Sequence, residues 1–137
     1  MTQAEQCLQD FQACTSWEQR ARLLLRYGQQ LTTFSAEQRQ QAELIRGCES
    51  PVWCLVELQE GKLQIQLDTD ARLLKGLLAV LLARIQGLTT AQLQEVDLPD
   101  WFNQLGLARQ LSASRSNGLQ AVIGHVANIA IQLGTSL

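Results

Sequence analysis

The sequence VWCLVELQEGKLQIQLD, residues 52–68, decides the fold because it changes the hydrophobic period from helix to strand. Its second half, 62–67, alternates apolar and polar residues and predicts a half-buried strand. The alternating apolar residues are Leu63, Ile65 and Leu67. The first half, 52–59, is apolar on both faces, which favours a more central strand, and Glu60-Gly61 predicts a turn between the two. One hairpin alone is marginal, so we expect a third strand near 44–47 or cover from helices.

Helical patterns lie on both sides of this hairpin. Before the hairpin, the pattern predicts a helix at 3–13, a second helix opened by Ser16 with Gln19, and a third from Ser35 with Gln38 to about Leu44. After it, the pattern predicts helices at 71–86 and 117–133. Between these two lie a short helix opened by Thr89 with Gln92 and one that has Pro99 as its first residue. The helix at 71–86 has a wide apolar face and is apolar nearly all round at 77–83, which predicts a central buried helix capped by one of residues 68–70. Gly76 inside it suggests close packing against a neighbour. SASRSNG at 112–118 is rich in capping residues and predicts a loop. The pattern predicts an α+β fold, with a small antiparallel sheet of about three strands packed with several helices.

Length and composition limit the classes of protein to consider. The 137 residues predict one domain, 1–137, and a formal charge of −2 gives no general affinity for nucleic acid or acidic membranes. The N-terminus lacks a basic segment followed by an apolar stretch, so no signal peptide is predicted. The longest apolar run, 77–83, is too short to span a bilayer. We therefore expect a cytoplasmic protein with reduced thiols and no membrane or direct nucleic-acid partner.

The four cysteines fall into two groups. Cys7 and Cys14 are seven residues apart and are expected on one face of the first helix, and Cys54 lies mid-strand. All three are interpreted as small hydrophobic residues that pack in the core. The sequence has no C-x-x-C, and His125 is its one histidine, interpreted as a core or surface residue. No metal site or resident cofactor is therefore predicted.

Cys48 differs because its neighbours predict a tight, exposed loop. Gly47 permits backbone conformations that are closed to other residues, and Pro51 keeps Ser50 out of a helix. Glu49 beside the thiol would raise its pKa, which disfavours the thiolate. The residues alone leave open whether Cys48 is a reactive thiol or an ordinary one.

Three blocks in unbroken order resemble the SufE family of sulfur-acceptor proteins, in particular its CsdE-like branch. They are RGCESPVW at 46–53, DTDARLLKGLLAVLLARIQGLT at 68–89 and LPDWFNQLGLARQLSASRSNGLQAVIGHV at 98–126. The resemblance runs from about Glu43 to Val126. It implies an α+β fold similar to the U-type iron–sulfur scaffold, and it implies that Cys48 is the acceptor thiol. It also implies that Arg115 lies close to the active loop, as a possible supporting residue. The alternative for Arg115 is a surface arginine that satisfies the loop before the last helix.

The function implied by the resemblance is a carrier that takes persulfide sulfur from a pyridoxal-phosphate cysteine desulfurase of the CsdA or SufS type onto Cys48. Such a carrier stimulates the desulfurase without turnover of its own and passes sulfur to a downstream acceptor protein, for iron–sulfur cluster assembly or sulfur-dependent tRNA modification. Two alternatives stay open. An iron–sulfur scaffold needs several converging cysteines, and a thiol redox enzyme needs an activated cysteine, usually with a resolving partner.

Overall fold

The structure is a computed structural model that describes residues 2–45 and 50–135, and the side chains at 134 and 135 are not described. Its elements are α1 (Gln3–Gln12), α2 (Trp17–Gln29), α3 (Ala36–Gln41), β1 (Glu43–Ile45), β2 (Val52–Gln59), β3 (Lys62–Thr69), α4 (Arg72–Ile85), α5 (Thr90–Gln94), α6 (Leu98–Gln104), a 3-10 turn (Ala108–Gln110) and α7 (Ala113–Thr135). Strands and helices are segregated along the chain, which confirms the predicted α+β class.

The sheet is antiparallel and has the order β1-β2-β3, so β2 is the central strand, as its apolar faces predict. The predicted third strand is β1. Glu60 and Gly61 form the hairpin turn, and both have positive φ (54° and 78°), which fits a tight two-residue connection. The outer edge of β3 is covered by Gln86, whose side-chain amide bonds both the N–H and the C=O of Ile65. These two hydrogen bonds satisfy backbone groups of β3 that a further strand would otherwise bond.

The core lies between the sheet and the helices. Its largest fully buried side chains are Phe11, Phe102, Leu24, Leu63, Ile65, Leu67, Leu77, Leu78, Leu81, Ile85, Leu93 and Leu98. Helix α4 is the central buried helix, as predicted, and it contacts α2, α1 and β3. Gly76 of α4 lies against Leu24 and Gly28 of α2, which confirms the close packing expected at this glycine.

Several predicted boundaries are wrong. The loop expected at 112–118 is mostly the first turns of α7, because the Ser112 hydroxyl accepts the Arg115 N–H and lets the helix begin at Ala113. The third helix ends at Gln41, not near Leu44, because the chain enters β1 at Glu43.

The expected side-chain cap of α4 is also absent, since its N-cap is Ala71 and no side chain bonds the first turn. The Asp68 carboxylate instead accepts the Phe34 N–H, and the Thr69 hydroxyl donates to the Pro51 carbonyl. Pro99 follows Leu98, the first residue of α6, and so is its second helical residue.

Within the described part of the chain, no helix has the length and apolar character needed to cross a bilayer.

Candidate functional site

The end of the sheet where β1 passes into β2 is held firmly on both sides. Ile45 pairs with Val52, and Val52 pairs in turn with Thr69 of β3. All three are buried. The Thr69 hydroxyl donates a 2.8 Å hydrogen bond to the carbonyl of Pro51, one residue before β2. The two flanks of the segment 46–49 are therefore fixed to a three-stranded frame.

Cys48, the predicted acceptor thiol, lies outside the described residues, as do its neighbours Gly47 and Glu49. The nearest described residues on the two sides of this segment are Ile45 and Ser50.

A buried carboxylate lies at the same end of the sheet. Asp68 is 0% exposed and is paired with Trp53 in the strand register. Its Oδ2 accepts the backbone N–H of Phe34 at 3.0 Å and lies 3.7 Å from Nη2 of Arg39, and its Oδ1 lies 3.5 Å from Nζ of Lys75. Two cations and a backbone N–H thus compensate a charge that burial would otherwise make costly.

Arg39 joins this carboxylate to the surface. Its Nη2 donates to Asp70 at 2.9 Å, and its guanidinium carbon lies 3.9 Å from the centroid of the Trp53 ring. A guanidinium over an indole face is attracted by the ring quadrupole. Leu44, which is paired with Trp53, is 46% exposed. An apolar side chain and an arginine-covered indole therefore lie next to the start of the segment 46–49.

Arg115 lies in the first turn of α7 and is half-buried. Its Nη1 donates to the Gln110 carbonyl at 3.3 Å, and its own N–H donates to the Ser112 hydroxyl. These contacts are the ones expected of an arginine that satisfies the loop before the last helix. Helix α7 contacts both β1 and β2, so it packs on the two strands that flank Cys48. That Arg115 lies close to Cys48 stays a prediction, because Cys48 is outside the described ranges.

Two of the remaining cysteines are inert by environment. Cys7 and Cys54 are almost wholly buried in the core, as predicted. Burial raises the pKa of Cys7 to about 12, with Tyr27 opposing and Asp10 adding to the rise. Burial likewise raises the pKa of Cys54 to about 12, with a smaller rise from the charge of Glu43. Both thiols are therefore protonated at neutral pH.

Cys14 departs from the expectation. Helix α1 ends at Gln12, so Cys14 does not share a helical face with Cys7, and it is only partly buried. Its Sγ lies 3.6 Å from the Asp10 carbonyl oxygen. His125 is half-buried in α7, as a core or surface histidine would be. Among the residues that the structure describes, no three metal-ligating side chains converge.

Sequence reasoning missed the arrangement around Asp68. We interpreted Asp68 as a candidate helix cap, and Arg39 and Trp53 had no assigned role. One signal was present: if Leu63, Ile65 and Leu67 face the core, then Asp68 faces the other side. A carboxylate that is buried on that side needs a cation to cover it.

Comparison with known proteins identifies the family. The SufE family, described as an Fe-S metabolism associated domain, matches residues 5–130. This chain belongs to the SufE family. A sulfur acceptor protein of Escherichia coli K12, CsdE, is 42% identical over 120 residues, which cover 87% of this chain and 82% of the relative. The resemblance seen in the sequence to the CsdE-like branch is therefore confirmed.

A solved structure shares the fold. The solution structure of a hypothetical protein from Thermus thermophilus superposes with a TM-score of 0.76 over 98% of this chain and 99% of that one. The sequence identity is 20%, so the likeness concerns the fold alone. The two proteins therefore share the arrangement of sheet and helices described above.

Proposed function

We propose that this protein is a sulfur acceptor for a pyridoxal-phosphate cysteine desulfurase and that Cys48 is the thiol that carries the persulfide. The observation that carries the proposal is the match over most of the chain to a relative named as a sulfur acceptor protein. The positions of the other thiols support the assignment. Cys7 and Cys54 are protonated core residues, and Cys14 lies beyond the end of α1, away from the quoted family motif.

The frame of the sheet supports delivery of sulfur to position 48 by a partner. Ile45 and Val52, on either side of the segment that carries Cys48, are both buried and are paired with each other in the sheet. The neighbouring exposed Leu44 and the Arg39-covered Trp53 offer a partner both apolar and cationic contacts. A desulfurase that docks at this end of the sheet would contact these residues beside the segment that carries Cys48.

The chemistry is a sulfur transfer between two thiols. The Cys48 thiolate attacks the terminal sulfur of the persulfide on the desulfurase, a new S–S bond forms, and the desulfurase cysteine leaves as a thiolate. An unperturbed thiol is about a tenth ionised or less at neutral pH, and its nucleophilicity falls as its pKa falls. Greater acidity alone therefore supplies little rate. Positioning supplies much more, because well-oriented groups reach effective molarities of about 10⁵ M or more.

Arg115 is proposed as a supporting residue. Its guanidinium lies at the start of the helix that packs on both flanking strands, and it is anchored by the Gln110 carbonyl. In this position it either favours the Cys48 thiolate or holds the segment that carries it. Arg115→Ala should slow sulfur loading of Cys48, and an unchanged loading rate would remove Arg115 from the proposal.

The two alternative functions fit the described thiols poorly. A cluster scaffold needs deprotonated cysteines that converge, whereas the pKa values of Cys7 and Cys54 are raised to about 12 by burial. A thiol redox enzyme usually needs a resolving thiol that its partner cysteine can reach. Cys54, on the strand beside Cys48, is buried and protonated, and so it is a poor resolving thiol.

We further propose that the protein has no independent turnover and works in the cytoplasm, where thiols stay reduced. It then passes its sulfur to a downstream acceptor protein, in iron–sulfur assembly or in sulfur-dependent tRNA modification. Incubation of a chain loaded with ³⁵S with each candidate recipient would identify the pathway. Label that stays on the carrier with every recipient of both pathways would contradict onward transfer.

Stimulation of the desulfurase tests the proposal. Alanine release from cysteine is measured for the desulfurase of the same genome, with wild-type protein, Cys48→Ser or Cys14→Ser. Wild type and Cys14→Ser should raise the rate several-fold, whereas Cys48→Ser should leave it at the level of the desulfurase alone. Cys14→Ser is the matched control because Cys14 is the partly exposed cysteine of the described residues. Full stimulation by Cys48→Ser would refute the assignment of Cys48.

A further inference from the structure

A cationic pocket lies between the start of α2 and the turn after α6. It has a volume of about 520 Å³ and is lined by Trp17, Arg20, Asn103, Gly106, Ala108, Arg109 and Gln110. None of its lining residues is acidic, although the chain as a whole carries a net charge of −2. We call this cavity the Trp17 pocket.

The two arginines of the Trp17 pocket are not used by the fold as ion pairs. Neither Arg20 nor Arg109 forms a salt bridge with any residue in the described ranges. The acidic residue next to Trp17 in the chain, Glu18, is engaged by Arg22 one turn later in α2. The positive charge of the pocket therefore has no carboxylate partner within the described part of the molecule.

The position of Arg20 is built into the fold. Its Nη2 donates to the Cys14 carbonyl at 3.3 Å, and its Nε is buried without a hydrogen-bond partner in the described structure. The side chain lies directly on Gly106, where a Cβ atom would come within 2.6 Å of Nε. Gly106 has a φ of 73°, so glycine is favoured here both by backbone conformation and by space. The guanidinium is thus held in one place instead of moving freely in solvent.

Trp17 supplies an aromatic surface beside this charge. Its side chain is 45% exposed, although tryptophan is a residue that usually buries most of its surface. Tryptophan and arginine, together with tyrosine, are enriched among the residues that contribute most to binding energy at protein interfaces. The planar guanidinium of Arg109 matches the geometry of a carboxylate, which it can bind through two parallel hydrogen bonds.

The Trp17 pocket is linked to helix α7 by a hydrogen bond. Gln110 lines the pocket, and its carbonyl accepts the hydrogen bond from Arg115. Arg115 lies in the first turn of α7, the helix that packs on β1 and β2. Gln110 therefore connects the pocket to the helix that packs on the two strands flanking the segment 46–49.

We propose that the Trp17 pocket is a second docking site for the cysteine desulfurase, which inserts an acidic segment into it. A carboxylate of that segment contacts Arg109 and Arg20, and an adjacent apolar side chain of the segment packs on Trp17. This inference rests on the proposed function. A protein segment fits better than a nucleic acid, because an acidic chain repels a polyanion at long range whereas one local carboxylate needs only the two arginines.

The test measures the concentration of this protein that half-saturates stimulation of the desulfurase, together with the maximal rate. Arg109→Glu should raise the half-saturating concentration by about fivefold or more and leave the maximal rate unchanged, because a docking contact is lost and the Cys48 chemistry is not. Trp17→Ala should act in the same direction. Increasing salt should raise the half-saturating concentration of wild type more steeply than that of Arg109→Glu. The matched control is Arg26→Glu, an equal charge change on an exposed residue of α2 outside the pocket.

The outcomes separate this proposal from the one on which it rests. No stimulation by wild-type protein would refute the proposed function itself. Normal stimulation with an unchanged half-saturating concentration for Arg109→Glu and Trp17→Ala would overturn the docking site alone. The docking site would also be overturned if wild type bound single-stranded RNA at physiological salt and Arg109→Glu abolished that binding while leaving the desulfurase kinetics unchanged. Thermal melts of both variants confirm that they are folded.

Discussion

The crossing of α2 and α4 leaves no room for a methyl group at Gly76. A Cβ atom there would lie 2.6 Å from the backbone oxygen of Leu24 and 2.8 Å from its Cγ. The facing glycine, Gly28, is as tightly placed, since its Cβ would come within 2.8 Å of the Gly76 nitrogen. Because the first obstacle at Gly76 is a backbone atom, a rotamer change cannot relieve the contact and α2 must move.

Two opposing effects decide what Gly76→Ala does to stability. Alanine in a helix interior is favoured over glycine by about 1 kcal/mol. Overpacking of a well-packed site costs about 1 to 3 kcal/mol, and a backbone obstacle places this site in the upper part of that range. We therefore expect a net loss of about 1 to 2 kcal/mol in the free energy of unfolding, against the sign that helix propensity alone predicts.

The control is Gly124→Ala in α7. A Cβ atom at Gly124 meets nothing within 4 Å, and its φ is not positive, so only the propensity term acts. This variant should gain about 0.5 to 1 kcal/mol. Urea unfolding followed by far-ultraviolet circular dichroism measures both variants against wild type. A Gly76→Ala protein as stable as Gly124→Ala would refute the close crossing of α2 and α4.

Two further predictions concern buried polar groups. Asp68→Ala should lower the free energy of unfolding by about 2 to 4 kcal/mol, because it leaves the buried Phe34 N–H without its acceptor and Lys75 without its ion-pair partner, and Asp68→Asn should cost less because it keeps an acceptor. Equal urea midpoints for wild type and Asp68→Ala would contradict this role. Burial raises the pKa of the Cys7 and Cys54 thiols from 9.0 to about 12, so these thiols lose their protons at lower pH in the unfolded chain than in the folded one. The free energy of unfolding should therefore fall as pH rises from about 9 towards 12. The fall should be shallower in Cys54→Ala, and an identical pH dependence of its unfolding midpoint would show that the Cys54 thiol does not contribute.

Local patterns predicted the parts of the fold that short segments determine. The alternation in β3 and the turn at 60–61 gave the hairpin, and the capping boxes at Ser35 and Thr89 are present in the structure. Each of these signals depends on residues that are close to each other in the sequence. For the same reason Gly76 could be predicted to pack closely, whereas its partner Gly28, 48 positions away, could not.

Contacts between distant segments explain what the patterns missed. Asp68 had the residue type and position of a helix cap, yet the structure uses it to hold Phe34 and Arg39, which lie about thirty residues earlier in the chain. The capping residues around Ser112 predicted a loop because they are common in both loops and helix starts. At the candidate site, the residue pattern left the reactivity of Cys48 open, and the family resemblance supplied its role as acceptor.

The location of transferred sulfur tests the central claim most directly. The protein is incubated with the desulfurase and cysteine, digested without reductant, and its cysteine peptides are weighed by mass spectrometry. The account predicts added mass of about 32 Da, one sulfur atom or multiples of it, on the peptide that contains Cys48. Fragmentation of each peptide assigns the added mass to one cysteine, and Cys7 and Cys54 should carry none. Sulfur on Cys14 with none on Cys48, or no loading of any peptide while the desulfurase turns over, would contradict it.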